Sequence, residues 1–467
     1  MNMFRGILLG AASVAAMGTV AQAADLPSRK AGPVAYVKIC DVYGRGFYYI
    51  PGTNTCLKVG GRVRFELGYR PATNVWVHGR NQGTRIAGRQ YDTIGWRARA
   101  YVNMDARTQT AWGTVQTVLS VAVRSRSGIM GGSSTAGPQG SITASPQVYR
   151  AYIRFAGFTV GRSRRNFDFM PSTMLETNYW SSSSTGALQL AYTAVFGGGF
   201  SATIALEDET DFGYGQRISR ITVVGTPAAS QFPQRNVVLV GNLRVDQGWG
   251  SAQVMGAWLS NHNIVPVGAN LVTVKKPGWA VGAGLKINLP MIAKGDALWL
   301  TAAYANGAND FTHSRYANGN TSKGRMMGGF TFQGANVTTF FPVAGVLAAE
   351  LMKSWSVGAI YRHVWSPTLE SNVMASYLSI TPGARTKAVN WYTAGGIGNQ
   401  NAWAVAHNLV WTPVRGFEIS LELGYRKANN KLTAVGPVWG TAAAPNTIGV
   451  KQNPSMFYGT FRVERTF

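Results

Sequence analysis

Acidic residues are scarce in this sequence. Nineteen aspartates and glutamates stand against 44 lysines and arginines, and charged residues make up only 13% of the 467. That is about half the share a typical soluble surface requires. Cysteine is nearly absent, with Cys40 and Cys56 alone, and two thiols without a nearby histidine do not complete a zinc site. The five histidines, His78, His262, His313, His363 and His407, show no H-E-x-x-H or similar ligand spacing. No G-x-S-x-G elbow, P-loop or completed G-x-G-x-x-G appears, so neither a hydrolase nor a nucleotide enzyme has a motif to stand on. No metal, cofactor or catalytic activity is expected. Beyond the N-terminus there is also no apolar run long enough for a membrane-spanning helix. No linker, charge block or composition shift divides the chain, which reads as one large domain.

What is abundant points elsewhere. Hydrophobic residues reach 46%, glycines number 56 and aromatics make up 11%. Cut at its polar, glycine-rich stretches, the chain falls into sixteen alternating segments. They run near 57–70, 92–105, 112–124, 146–156, 157–162, 185–196, 199–207, 236–246, 249–260, 277–288, 297–305, 354–365, 368–380, 401–412, 416–427 and 455–467. In the second, Trp96, Ala98, Ala100, Val102 and Met104 share one face, and Arg97, Arg99, Tyr101, Asn103 and Asp105 the other, because successive strand side chains point opposite ways. Long connections (209–235, 306–353, 428–454) alternate with short ones such as Ser366-Pro367. A soluble sandwich has no reason to sort its loops by parity; an outer-membrane barrel does. The expected fold is all-β, a sixteen-stranded antiparallel transmembrane β-barrel with an inward-folded third loop. The apolar stretch Phe340–Met352 suggests a short helix within its loop.

The N-terminus reads as a secretory signal peptide over residues 1–23: a basic start through Arg5, an apolar run to about Val20, then Ala21-Gln22-Ala23. Residues 24–56 form a periplasmic extension, in which Cys40 and Cys56 of an exported chain are expected to pair, and 57–467 the barrel. Only about thirty mature residues precede the first strand, which leaves little room for the plug of a gated transporter. In hydrocarbon an unpaired backbone group costs several kcal/mol, so residues 57–70 must pair with 455–467. The last strand places Phe457, Phe461, Val463 and Phe467 outward. It places Tyr458, Thr460, Arg462 and Glu464 inward.

The basic residues sit at inward positions rather than in a tail or patch, which argues against nucleic acid as a partner. Lys58, Arg62 and Arg64 share a face of the first strand, Arg97 and Arg99 of the second, and Arg150 and Arg154 of the fourth. Turned outward, each would cost roughly 2 to 4 kcal/mol at mid-bilayer, so the register is well determined. Glu370, Glu418, Glu422 and Glu464 are expected inward on later strands as opposing wall acids. After the fifth strand, Arg162, Arg164, Arg165, Asp168 and Glu176 mix with Phe167, Phe169 and Met170. That mixture suits a loop packed inside the barrel; an external loop with a basic patch is the alternative.

The stretches Ala24-Asp25-Leu26-Pro27, Val37 to Gly44 and Gly46 to Gly61, with Gly157 to Arg162 and the terminal Phe467, closely resemble alphaproteobacterial porins of the rhizobial and brucella type. The resemblance implies a sixteen-stranded, trimeric, water-filled diffusion channel of the outer membrane. It implies that Phe467 is read by the barrel-assembly machinery. It also places the third loop at about 163–185, facing an arginine ladder of Arg62, Arg64, Arg97, Arg99, Arg150 and Arg154. The Pro-Glu-Phe-Gly-Gly motif of enterobacterial third loops is absent, and arginines stand where acids are common, so a net positive eyelet is expected. The expected activity is passive diffusion of small hydrophilic solutes and ions with anion preference. A substrate-specific channel and a structural or adhesin barrel are the other readings. Surrounding lipid and lipopolysaccharide are the remaining expected partners.

Overall fold

The computed structural model describes residues 38–70, 93–130, 143–175, 180, 186–208, 221–224, 237–267, 270–312, 337–340, 348–384, 397–432 and 455–467. The signal peptide, residues 24–37, Glu176, His78 and His313 lie outside the described residues.

Sixteen strands make the barrel: β1 (Thr55–Tyr69), β2 (Ile94–Thr110), β3 (Gly113–Gly128), β4 (Thr143–Phe155), β5 (Phe158–Ser163), β6 (Ala187–Gly197), β7 (Phe200–Asp208), β8 (Val237–Gln247), β9 (Gly250–Val267), β10 (Asn270–Asn288), β11 (Ala297–Asn306), β12 (Lys353–Ser366), β13 (Leu369–Thr381), β14 (Ile397–Val414), β15 (Phe417–Leu432) and β16 (Ser455–Thr466). Each pairs antiparallel with its sequence neighbour, and β16 closes the sheet on β1 through a register running from Arg62↔Thr466 to Tyr69↔Gly459. The terminal Phe467 extends the seam by exchanging two backbone hydrogen bonds with Gly61, at 2.9 and 3.0 Å. Among the described residues the sixteen barrel strands leave no edge unpaired, as a barrel in lipid requires.

Each of the sixteen expected strands is present, and the faces sort as expected. Val63, Phe65, Trp96, Val102, Met104, Ile153, Phe457 and Phe467 are exposed, whereas Glu66, Arg99, Tyr101, Glu422, Tyr458, Thr460 and Arg462 are buried. Exposed and half-buried aromatics band the outer surface near both ends. Near the end carrying the long connections, Trp279 meets Tyr304, Trp355 meets Tyr377, and Trp403, Tyr425 and Phe457 follow in series, with ring centroids 4.7 to 5.5 Å apart. At the short-turn end stand Trp112, Phe158, Trp249, Trp365 and Phe467. Such belts suit the two boundaries of a bilayer.

Two expectations are corrected. β9 and β10 continue past residues 260 and 277 into one hairpin, paired as far as Val267↔Asn270. The segment is rich in β-branched types on both arms, which favour strand over loop. Nor is Phe340–Met352 helical at its described ends. Val337–Phe340 and Ala348–Leu351 are antiparallel strands, and Val337–Phe340 also lies parallel to Ile221–Val224.

Outside the barrel wall, Tyr48 and Tyr49 pair with Leu57 and Cys56. Cys40 is disulfide-bonded to Cys56, with Cα atoms 6.0 Å apart. The pair staples residues 38–49 to the start of β1.

Candidate functional site: the charged wall and the segment after β5

Alternation delivers charge to one side of the wall, and register lines it up. Two rows cross β15, β16, β1, β2 and β3: Glu418, Glu464, Arg64, Arg99 and Arg124 in one, Ser420, Arg462, Glu66, Arg97 and Arg126 in the next. Six arginines against three glutamates leave this wall net positive. Glu66 is fully buried between two guanidinium groups. It accepts from Arg97 Nε on one oxygen and from Arg462 on the other, at 2.6 and 3.1 Å. Glu464 accepts from Arg64 and, at 3.4 Å, from Arg62. Glu464 was expected among the acids facing the basic wall, yet it stands within it, because β16 lies beside β1.

Tyrosines hold two further guanidinium groups in place. Arg99 donates to the hydroxyls of Tyr101 and Tyr149 at 2.6 and 2.9 Å, and Arg62 stacks 4.0 Å over the Tyr101 ring. Tyr149 reaches them because the register steps between Ser120↔Arg150 and Val121↔Val148, an irregularity that re-aims a side chain. Arg150 donates to the Tyr149 carbonyl. Lys58 and Arg154 lie nearer the short-turn end than these rows. Lys58 sits 5.8 Å over the Phe47 ring, and Arg154 pairs in register with Gln116 and Thr159.

Arg162 belongs to β5 rather than to the loop, opposite Ala151 and Leu188. The segment that follows makes its contacts with interior positions of distant strands. Arg165 donates to Glu207 of β7 at 2.9 Å, a pair that is almost wholly buried. The Asn166 N–H donates to the same carboxylate, and its carbonyl accepts from Asn242 of β8. Phe167, Phe169 and Trp180 fill the spaces left by Gly282, Gly284 and Gly358 on β10 and β12. At its far end the Thr173 carbonyl accepts from Asn408 of β14, and the Leu175 N–H donates to Glu422 of β15 at 2.6 Å. Arg164 pairs with Asp168 and donates to the Met170 carbonyl.

Glu422 is therefore a tether for this segment, and Glu418 accepts from Ser420. Glu370 accepts from Asn372 on the same strand. Sequence reading passed over Glu66, Glu207, Arg124, Arg126 and Tyr149. For Glu66 the signal was present: it continues the even-numbered face of Arg62 and Arg64. On the other wall the buried Trp299 lies between Lys286 and Arg362, at 5.4 and 5.3 Å from its ring.

Comparison with known proteins agrees with this architecture. The family described as Porin subfamily matches residues 26–454. Porin Omp2b of Brucella suis biovar 1 (strain 1330) is 32% identical over 257 residues, 53% of this chain and 63% of that protein. The aligned stretch thus spans less than two thirds of the Omp2b length. Porin Omp2a of Brucella ovis is 29% identical over 264 residues, 53% of this chain and 68% of that one. Among solved structures, the outer membrane channel DcaP of Acinetobacter baumannii shares the fold, with a TM-score of 0.56 at 14% identity over 90% of this chain and 99% of its own. A closed sixteen-stranded barrel and a family match across nearly the whole sequence lead to one conclusion: the chain belongs to the porin subfamily.

Proposed function

We propose that this protein is an outer-membrane channel through which small hydrophilic solutes and ions diffuse passively, with a preference for anions. The observation that carries the reading is the pair of charged rows on the interior face of a barrel whose outer face is apolar. A lumen lined this way is wettable and has a positive wall. The third loop, about residues 163–185, folds inward, and the ties of its residues 165–175 to β7, β8, β14 and β15 support that role. An anion held between this loop and Arg64, Arg97, Arg99, Arg124 and Arg126 is partly stripped of water, and Coulomb attraction offsets part of the loss. No energy source enters.

In this reading the short turns and the stapled N-terminal extension face the periplasm, after export by a cleaved signal peptide. The assembly machinery reads Phe467, lipid and lipopolysaccharide cover the apolar surface, and three copies assemble. Purified protein in a planar bilayer tests the channel. Stepwise conductance is expected, with a zero-current potential signed for chloride under a potassium chloride gradient. A potential signed for potassium would mean that Glu66, Glu464 and Asp168 govern the eyelet. A folded barrel without conductance would overturn the reading.

A further inference from the structure

We propose a second anion-binding site in the short-turn mouth of the barrel, roofed by the stapled N-terminal segment and suited to small phosphate or carboxylate solutes. The proposal rests on the channel reading for its place in the conduction path. A cavity of about 550 Å³ opens there, lined by Tyr43, Arg107, Gln116, Arg154, Thr159 and Thr193 among others, and no acid lines it.

The charge is distributed unequally. Arg107 is spent on Asp105, to which it donates twice at 2.7 and 3.0 Å, and Gln116 donates to the same carboxylate. Arg154 is different. It lies exposed, 4.8 Å over the Tyr152 ring, and no carboxylate among the described residues pairs with it. A guanidinium braced on an aromatic face keeps its donors free for a planar or tetrahedral oxyanion. Directly opposite in register stands the Thr159 hydroxyl, on the other side Gln116. Hydroxyl donors beside a guanidinium are what such an anion needs once it has lost water.

The roof is closed by a bond of its own and tied to the barrel in two ways. The disulfide to Cys56 fixes Cys40, the Cys40 N–H donates to the Phe47 carbonyl, and Arg107 lies 5.5 and 5.0 Å over the Tyr43 and Phe47 rings. Tyr43 closes the cavity from that side and donates weakly to Gln109 at 3.4 Å. A solute leaving the eyelet thus meets a second basic station before it reaches open water.

Two measurements test this. Inorganic phosphate titrated calorimetrically into the folded, detergent-solubilised protein at low salt should bind saturably. Arg154→Gln should weaken it about tenfold, the expected loss of one charge-assisted contact. Tyr43→Ala should weaken it as well, without altering the barrel. In bilayers, phosphate added on the short-turn side should reduce chloride current at lower concentration than phosphate added on the other side. Arg154→Gln should abolish that asymmetry. Equal affinity in Arg154→Gln and the unmodified chain would overturn the site, as would symmetric block unchanged by the substitution. If the unmodified protein bound phosphate but gave no conductance, the site would stand and the channel reading would fall.

Discussion

Glu66 is surrounded by cations and sealed from water, and the consequence is asymmetric. Its pairs with Arg97 and Arg462 are weak grounds for stability as a unit, since desolvation offsets the attraction, but breaking them from one side takes the carboxylate away from Arg97 and from the buried Arg462 guanidinium. Glu66→Gln should therefore cost about 3 to 5 kcal/mol in denaturant unfolding. It should also shift the bilayer potential further toward chloride. A neutral effect on both would show that water reaches the cluster. At the short-turn end, partial burial pushes the Asp296 carboxyl upward, but the His363 ring nitrogen at 2.7 Å, the Val364 N–H and the Tyr361 hydroxyl hold it below the usual carboxylate range. A carboxyl more acidic in the folded chain stabilises above its unfolded value and loses that contribution as pH falls through the folded one. Asp296→Asn should accordingly flatten the acid limb of the unfolding profile below about pH 4, and an unchanged limb would count against these bonds. Residues of this kind are the hardest to read from sequence. Glu66 sits in plain register with Arg62 and Arg64, yet its partner Arg462 is nearly the full chain away.

Elements were legible because each carries its own pattern. A strand needs only its neighbours two positions away to declare its faces, so all sixteen could be placed, including β5 with six residues. The segment after β5 announced its apolar anchors, Phe167, Phe169 and Met170, but not where they dock. Leu175 is tied to Glu422, 247 residues on, and no local pattern encodes that distance. These ties predict opposite changes in conductance. A side chain at Gly284 would press on the Phe169 ring, so Gly284→Val should drive the loop toward the lumen and lower single-channel conductance, at an overpacking cost of about 1 to 3 kcal/mol. Glu422→Ala frees the far end and should give a larger, noisier conductance. If both variants conducted alike, the segment would not control the path. The N-terminal staple acts at the same scale. Replacing Cys40 and Cys56 with serine should cost about 3 kcal/mol, as expected for a loop of this length, while leaving the sixteen-stranded barrel assembled.

For the whole molecule, net charge is a poor guide and placement a good one. The formal +25 is spread over loops, mouth and wall, and screening confines the influence of each exposed group to about 8 to 10 Å near physiological ionic strength. Only charges that an ion must pass within that range can select, and the two rows on β15, β16, β1, β2 and β3 gather six arginines for that role. Arg99 and Arg124 stand opposite each other in one row. Replacing both with glutamine should lower the chloride-to-potassium permeability ratio, and an unchanged ratio would move the selecting charge elsewhere. Salt supplies the complementary test on the unmodified protein. If fixed arginines act across water, the ratio should fall toward unity as potassium chloride rises from about 0.1 to 1 M, where the Debye length shrinks to about 3 Å. If selection came instead from direct hydrogen bonding to a stripped anion, the ratio would persist at high salt, because contact at bond distance is little screened. The slope of permeability ratio against salt therefore separates a positive field from a binding filter in the same channel.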